Sequence, residues 1–249
     1  MEWRDSAIVL SAKRHGESAV LLHVMTEAHG RHAGLVPGGA SRRMRGLYQP
    51  GNQIACKWRA RLQTQLGTFS AELIAARAAA LLDDPARLAA LSAACSVLDA
   101  VLLEREPHAA IYHGLVAFLD ALAEPARDVT DWGAAYIGWE VGVLRELGFG
   151  LDLSACAATG ATEDLCWVSP KTGRAVSASA GEPYRDKLLR LPGFLLNGEK
   201  ADAAALLDGL KLTGHFLAWH GLHRDGATLP AARDRLVAIF SKLTPISGG

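Results

Sequence analysis

The chain has 249 residues, half of them apolar, which is enough to bury one large core or two small ones and excludes disorder as its main state. Its 26 Lys and Arg residues balance its 26 Asp and Glu residues, and neutrality taken alone argues against a nucleic-acid partner. The charge is unevenly distributed, however, because residues 1–80 contain 11 basic and 5 acidic residues while residues 81–249 contain 15 and 21. A chain polarised in this way can present a phosphate-binding surface at its basic end. The alternative is a chance imbalance on ordinary solvated faces.

Alternating apolar residues predict five short β-strands in the first 75 residues, separated by polar turns that contain glycine. Five strands within this length predict a small closed or partly closed barrel. The strands are predicted at Ala7–Ala12, Ala19–Met25, His32–Val36, Gln53–Trp58 and Thr64–Leu73.

Helical spacing replaces alternation from Ser70 onward, where Ala and Leu dominate the sequence. We therefore place a domain boundary near residue 80, between an N-terminal barrel of residues 1–80 and a helical domain of residues 81–249, which gives an α+β fold class. Residues 151–181 are predicted to be an irregular insertion. Asp84 and Pro85 are typical of a helix start. Later helices are predicted at Pro107–Pro125, Asp131–Leu147, about 200–223 and about 230–242.

The sequence contains no feature of export or membrane insertion. Met1 to Asp5 are not followed by the apolar segment of a signal peptide, and the longest apolar runs are too short to span a bilayer. We therefore expect a cytoplasmic protein with no membrane partner. The four cysteines are interpreted as free thiols, because a core of this size needs no disulfide framework. They are Cys56, Cys95, Cys156 and Cys166.

Basic residues concentrate in the predicted barrel. Arg42, Arg43 and Arg45 lie in the long connection after the third strand, and Lys57, Arg59 and Arg61 alternate along the fourth strand, which places them on one face. Together with Arg14, in the first connection, they are the candidate contacts to phosphates of the nucleic-acid backbone. The alternative is an ordinary solvated strand face.

Aromatic residues that could stack on unpaired bases are scarce in the barrel. Trp58 points away from Lys57 and Arg59 and is predicted to lie in the core. Tyr48 is the best candidate for stacking on a base. We expect charge to contribute more to binding than stacking does.

Neither a metal site nor a catalytic site is predicted. His215, His220 and His223 invite a metal interpretation, but they lie among apolar residues and form no HExxH motif, so structural histidines are favoured. Cys156 and Cys166 cannot close a four-ligand zinc site alone. Nucleotide-binding glycine loops and the GxSxG motif are absent from the sequence, so we expect neither a cofactor nor an enzyme.

Several segments, in this order, resemble the RecO family of recombinational DNA repair proteins, and the resemblance covers nearly the whole chain. The part of it from Gly51 to Gly67 is especially similar to the alphaproteobacterial branch. The segments are Arg14-His15-Gly16-Glu17, Thr26 to Gly30, Val36-Pro37-Gly38-Gly39, Leu47 to Gly51, Gly51 to Gly67, Leu144 to Leu153 and Leu229 to Arg233.

The resemblance implies an OB-fold N-terminal domain, a helical C-terminal domain and no catalysis. Members of the family bind single- and double-stranded DNA, anneal complementary strands, contact RecR and the single-strand-binding protein, and help to load RecA. The basic residues named above are then the DNA-binding candidates. The helical domain is the expected docking surface for the C-terminal tail of the single-strand-binding protein.

One departure from the family concerns zinc. Many relatives carry two CxxC pairs around the irregular insertion, whereas here only Cys156 remains and Thr159, Ser177 and Ala180 occupy the other positions. The resemblance therefore implies a degenerate zinc loop that holds no metal, and Cys166 lies outside the pattern.

Two alternatives remain at this stage. The first is an OB-fold module that binds single-stranded DNA or RNA outside repair, which would not anneal strands. The second is an enzyme that uses His215, His220 and His223, whose metal form would require zinc binding.

Overall fold

The computed structural model describes residues 1–222 and 228–243. Five strands form a closed barrel in the order β1-β2-β3-β5-β4. All neighbouring strands are antiparallel except β3 and β5, which meet in parallel at Leu35 and Thr68. The predicted five-stranded barrel followed by helices is confirmed. The strands are β1 Glu2–His15, β2 Ala19–Thr26, β3 Gly30–Val36, β4 Gln53–Arg59 and β5 Thr68–Ala75.

The barrel core follows from the alternation of residues along each strand, as β4 shows. Ile54, Cys56 and Trp58 are buried, while the residues between them face outward. The predicted core position of Trp58 is confirmed, with 1% of its surface exposed. Because successive side chains of a strand point to opposite faces, this burial also fixes the outward direction of Lys57 and Arg59.

Several strand ends differ from the prediction, since β1 spans Glu2–His15 rather than Ala7–Ala12. β5 begins at Thr68 rather than Thr64, and β4 ends at Arg59, so Arg61 lies in the loop between these strands and not on β4. A residue outside the barrel fixes this loop: Arg105 donates hydrogen bonds to the backbone carbonyls of Gln63 and Gln65. Its shape therefore depends on a residue 40 positions further along the chain.

The predicted helices are present with shifted ends. Asp84 caps the first long helix by accepting hydrogen bonds from the backbone N–H groups of Ala86 and Arg87, as expected of an N-cap. No helix in the two described ranges is long and apolar enough to cross a membrane. The α-helices are α1 Arg42–Arg45, α2 Arg77–Ala80, α3 Pro85–Val101, α4 Ala109–Ala123, α5 Val129–Glu146, α6 Ala178–Gly181, α7 Phe194–Asn197, α8 Ala203–Phe216 and α9 Ala231–Ser241. A 3₁₀-helix covers Glu182–Lys187, and a π-helical segment covers Leu217–Leu222.

The segment predicted to be irregular contains short strands, which is a correction. β6 (Leu165–Val168) pairs with β7 (Ala175–Ser177) and with β8 (Leu189–Arg190) in a three-stranded antiparallel sheet. These strands have two to four residues each, too few for alternation to stand out from the sequence.

The compact units of the chain differ from the predicted domains. The change from strand to helix falls near residue 80 as expected, but the first unit comprises Met1–Ala123 and Pro230–Arg233. The second comprises Glu124–Leu229 and Asp234–Gly249. The first unit extends beyond residue 80 because α3 packs on β1 and α4 packs on β2. The sequence composition thus predicts where strands give way to helices, whereas the packing of α3 and α4 on the barrel determines where the first compact unit ends.

The carboxylate of Asp99 on α3 joins this helix to three strands of the barrel. His23 Nδ1 of β2 donates to it over 2.5 Å, Ser11 Oγ of β1 over 2.9 Å, and Arg31 Nη1 of β3 over 3.2 Å. Burial alone would raise the pKa of Asp99, but these partners outweigh burial and lower it. The ionised carboxylate is therefore the form that the folded barrel favours.

We expect Asp99→Asn to destabilise the protein by about 1–3 kcal/mol at neutral pH, since it removes charge from a partly buried hydrogen-bonded network. Because the pKa of Asp99 is lowered in the folded state, its contribution exists above the unfolded pKa of about 3.9 and is lost as pH falls through the folded pKa. Denaturant unfolding of both proteins across a pH series checks this. Asp186→Asn is the control, because the Asp186 side chain is 96% exposed. A difference that stayed constant down to strongly acidic pH would contradict the assignment.

Gly30 is required where the β2–β3 turn meets the segment after α3. Its φ is +62°, and a Cβ at this position would lie 1.9 Å from the backbone oxygen of Glu106. Gly16 has nearly the same φ, +63°, but a Cβ there would meet no atom within 4 Å. The two glycines thus share the left-handed backbone and differ in the space around it.

We expect Gly16→Ala to cost about 1–2 kcal/mol, the penalty of a left-handed alanine. Gly30→Ala should cost more than Gly16→Ala, because the backbone of Glu106 must also move. Chemical denaturation of the two variants measures the difference directly. Equal losses would show that the contact with Glu106 contributes nothing.

Candidate functional site

A cavity of about 390 Å³ lies at the end of the barrel where β1 passes into β2. Arg14, near the end of β1, and Arg45, at the end of α1, both line it. Arg14 donates to the backbone oxygens of Gly16 and Glu17, and Arg45 donates to that of Ala40. These partners are neutral carbonyls, so they orient both guanidinium groups without cancelling their charge.

The three arginines of the short helix α1 are exposed, because the apolar side chains of this segment pack inward. Met44 and Leu47, immediately after α1, pack against the barrel core, which leaves Arg42, Arg43 and Arg45 exposed. We call the set of Arg14, Arg42, Arg43 and Arg45 the arginine end. Among the described residues, no carboxylate lies within ion-pair distance of any of its four members. The arginine end is therefore a surface whose positive charge is not neutralised by the described residues.

Tyr48, the predicted stacking residue, also lines this cavity. Its side chain is 3% exposed and belongs to the barrel core, and burial raises the pKa of its hydroxyl. The hydroxyl has no hydrogen-bonding partner among the described residues. The burial of the ring argues against the predicted stacking of Tyr48 on a base.

Lys57 and Arg59 are engaged by an acidic residue that the sequence analysis did not consider. Lys57 Nζ lies 2.7 Å from Glu2 Oε1, and Arg59 Nη2 lies 2.9 Å from Glu2 Oε2. Hydrogen bonds from Lys57 and Arg59 lower the pKa of the Glu2 carboxyl, which keeps it ionised. One negative charge therefore offsets half of the positive charge of this pair.

The predicted basic residues fall into two groups at opposite ends of β1. Arg14 lies opposite Val20, and Glu2 lies opposite Arg59 in the register of the neighbouring strands. Arg61 belongs to neither group, because it is exposed in the loop after β4. The eight predicted site residues thus do not form one continuous surface, and only the arginine end combines several exposed charges without acidic partners.

Two further basic residues were missed. Arg4 is exposed on β1, pairs with Lys57 across the strands, and lines a groove of about 580 Å³ together with it. Polar Glu2 and Arg4 flank the apolar Trp3, and this alternation could have identified Arg4 as an outward-facing strand residue from the sequence. Arg105 lies beyond the predicted barrel but lines a cavity of the barrel, and no local signal in the sequence connects the two.

The histidines and cysteines that were considered for a metal are embedded in packing and hydrogen bonds. His215 Nε2 lies 3.1 Å from the carbonyl oxygen of Pro170, and His220 stacks on Phe149 at 4.2 Å between ring centroids. His223 lies outside the described residues. Within the described ranges, no group of three His, Cys, Asp or Glu side chains is arranged to hold a metal ion.

Cys156 is surrounded by the residues that replace zinc ligands in the family pattern. Its sulfur accepts a hydrogen bond from the backbone N–H of Ser177 at 3.2 Å. Hydrogen bonds from Ser177 and Thr159 lower the pKa of the thiol to about 6. Backbone hydrogen bonds from Gly160 to Cys156 and from Ala157 to Ala175 further fasten the loop. Hydrogen bonds thus supply the local order of this segment.

Two family models match the chain: Recombination protein O N terminal over residues 1–77 and Recombination protein O C terminal over residues 82–227. The chain belongs to the recombination protein O family. Among curated relatives, the DNA repair protein RecO of Rhodospirillum centenum is 54% identical over 250 residues, covering 100% of this chain and 98% of the relative. RecO of Phenylobacterium zucineum is 51% identical, covering 94% and 95%. RecO of Rhodospirillum rubrum is 48% identical, covering 95% of each.

Membership confirms the resemblance identified from the sequence and supports a role in recombinational DNA repair. The two models meet between residues 77 and 82, where the barrel ends. The matched residues include the whole arginine end and the Glu2 group, so both lie within the RecO N-terminal module.

We expect Glu2→Gln to increase the affinity of the protein for a polyanion, because it releases Lys57 and Arg59 from their shared carboxylate. Elution from heparin at higher salt than the unsubstituted protein checks this. Glu163→Gln makes the same change in net charge at an exposed residue away from both basic groups, without breaking a described ion pair, and should shift elution less. Equal shifts for the two variants would show that only net charge matters.

Proposed function

We propose that the chain is a non-enzymatic recombination mediator that binds single- and double-stranded DNA through the arginine end of its barrel. One observation carries this proposal: four exposed arginines without carboxylate partners among the described residues occur together on a chain of a DNA repair family. Guanidinium groups bind phosphate oxygens through paired N–H donors, which suits a DNA backbone.

The proposed binding depends on the backbone of DNA rather than on its sequence. Each phosphate that an arginine neutralises releases condensed counterions, so affinity falls as salt rises. Arg14 and Arg45 contact a phosphate at the cavity, and Arg42 and Arg43 contact phosphates beside it. Arg4, Lys57, Arg59 and Arg61 provide weaker contacts, because Glu2 already engages two of them.

Strand annealing follows from the same electrostatics. Two complementary strands repel each other through their phosphates, and a protein that neutralises both reduces this repulsion. We further propose that the chain acts in the cytoplasm with RecR and the single-strand-binding protein to assist RecA loading. The helical part of the chain would receive the C-terminal tail of the single-strand-binding protein. The support for these three partner proteins is membership of the family.

A generic OB-fold module that binds single-stranded nucleic acid outside repair is the second candidate. The barrel topology and its exposed arginines fit this candidate equally well. Family membership favours the repair mediator, and annealing of complementary strands separates the two. Binding without annealing would support the generic module.

We expect the combined variant Arg42→Ala, Arg43→Ala, Arg45→Ala to bind single strands and duplexes more weakly. The log–log slope of affinity against salt should flatten by about three, since roughly 0.9 counterion is released per phosphate contact. Fluorescence anisotropy of labelled single strands and duplexes across a salt series measures both quantities, and strand annealing is followed in the same samples.

The control removes three positive charges elsewhere, by Arg174→Ala, Arg185→Ala and Lys187→Ala. It should leave most of the affinity and slope in place, because Arg174 and Arg185 have acidic partners. Unchanged binding of the first variant at every salt concentration, or an equal loss in the control, would refute the role of the arginine end.

A further inference from the structure

A second cavity of the barrel, of about 520 Å³, lies at the end of β1 opposite the arginine end. Its size is within the range of pockets that bind small ligands. Four segments distant in sequence form its walls: the start of β1, the β2–β3 turn, the β4–β5 loop and the segment after α3. The glycine at position 30 allows two of these segments to meet, because a side chain there would collide with Glu106.

Three stacked rings lead from the barrel core to this cavity. Trp58 is buried, Trp3 stacks on it with centroids 5.8 Å apart, and His29 stacks on Trp3 at 4.1 Å. The ring planes are within 20° of parallel in both pairs. We call Trp58, Trp3 and His29 the aromatic column. Trp3 is covered on both faces, whereas the half-buried His29 is the last ring of the column. His29 thus ends the column at the cavity that it lines.

Arg105 supplies positive charge to the same cavity. Its guanidinium donates to the backbone oxygens of Gln63 and Gln65, and no described carboxylate pairs with it. The residue has a φ of +64°, a strained conformation for a residue other than glycine. Its backbone N–H is fixed by the oxygen of Arg31 at 2.7 Å. The fold thus holds an unneutralised cation beside the column at a conformational cost.

His32 packs its ring edge-on against Trp3 and Trp58, at 5.1 Å and 4.9 Å between ring centroids, and so supports the column from the side. Its side chain is 4% exposed, it lines the cavity, and neither ring nitrogen has a hydrogen-bonding partner among the described residues. Burial lowers the pKa of His32 to about 4, so the ring is neutral at physiological pH. A neutral imidazole has one donor and one acceptor, and buried groups of this kind normally have partners.

We propose that this cavity receives one unstacked nucleobase of a single DNA strand, which stacks on His29 while an adjacent phosphate faces Arg105. The inference rests on the proposed function and deepens it, because it assigns single strands a contact that duplexes lack. A base within a duplex remains stacked and paired and cannot enter the cavity. The stacking face of the column and the positive charge of Arg105 together match a nucleotide better than an aliphatic ligand.

The experiment compares His29→Ala with His29→Phe and with His113→Ala. His29→Phe keeps a stacking ring, and His113 is an exposed histidine that does not line the cavity. The probes are a labelled oligothymidylate and a labelled hairpin duplex, with tryptophan emission recorded to report stacking near Trp3. Thermal unfolding confirms that each variant is folded.

We expect His29→Ala to weaken binding of oligothymidylate about tenfold, the loss of one stacked base, and to leave duplex affinity within about twofold. His29→Phe should restore oligothymidylate binding, and His113→Ala should change neither affinity. Oligothymidylate should quench tryptophan emission in the unsubstituted protein but not in His29→Ala.

Unchanged oligothymidylate affinity in His29→Ala, or an equal loss on both probes, would overturn the base-binding role while leaving the arginine end untouched. If the unsubstituted protein bound neither probe at low salt, the proposed function and this inference would both be wrong.

Discussion

The packing of the buried Trp58 indole determines the shape of the β4–β5 loop and the position of Trp3. Its Nε1–H donates to the backbone oxygen of Leu66 at 3.0 Å, which fixes the loop between β4 and β5. Its ring supports Trp3 on one side, and Gly67 leaves room for it where a Cβ would collide. Because the register of β4 is set by this burial, the position of Trp58 decides which residues face solvent. The burial of Trp58 in the core thus also determines which basic side chains of β4 lie on the surface.

Exposure alone does not make a basic side chain available to a ligand. Arg59 and Arg45 are both exposed arginines on the same barrel, but Arg59 shares a carboxylate with Lys57, whereas Arg45 contacts a neutral carbonyl. An incoming phosphate must compete with Glu2 at the first position and with water at the second. The arrangement of one acidic residue at the start of β1 therefore concentrates the free positive charge at the other end of this strand.

The barrel could be predicted because its signals are local. Alternation identified all five strands, and the capping residue Asp84 marked the start of α3. The site could be predicted only in part, because whether a basic side chain is free to bind a ligand depends on its contacts with residues distant in sequence. Glu2 meets Arg59 across 57 positions, and Arg105 reaches the loop of Gln63 across 42. Tyr48 resembled a surface aromatic in a polar segment, but the packing of the residues after α1 placed it in the core.

The shared carboxylate of Asp99 has a consequence for dividing the protein into fragments. A fragment that ends near residue 80 would keep His23 and Arg31 but lose the acid that binds both of them. It would also expose the surface of β1 that α3 covers. A fragment that continues to Ala123 would keep α3 and α4 and these contacts, and would lack only Pro230–Arg233 of the first compact unit. The end of the N-terminal family model at residue 77 and the extent of the first compact unit are therefore different boundaries.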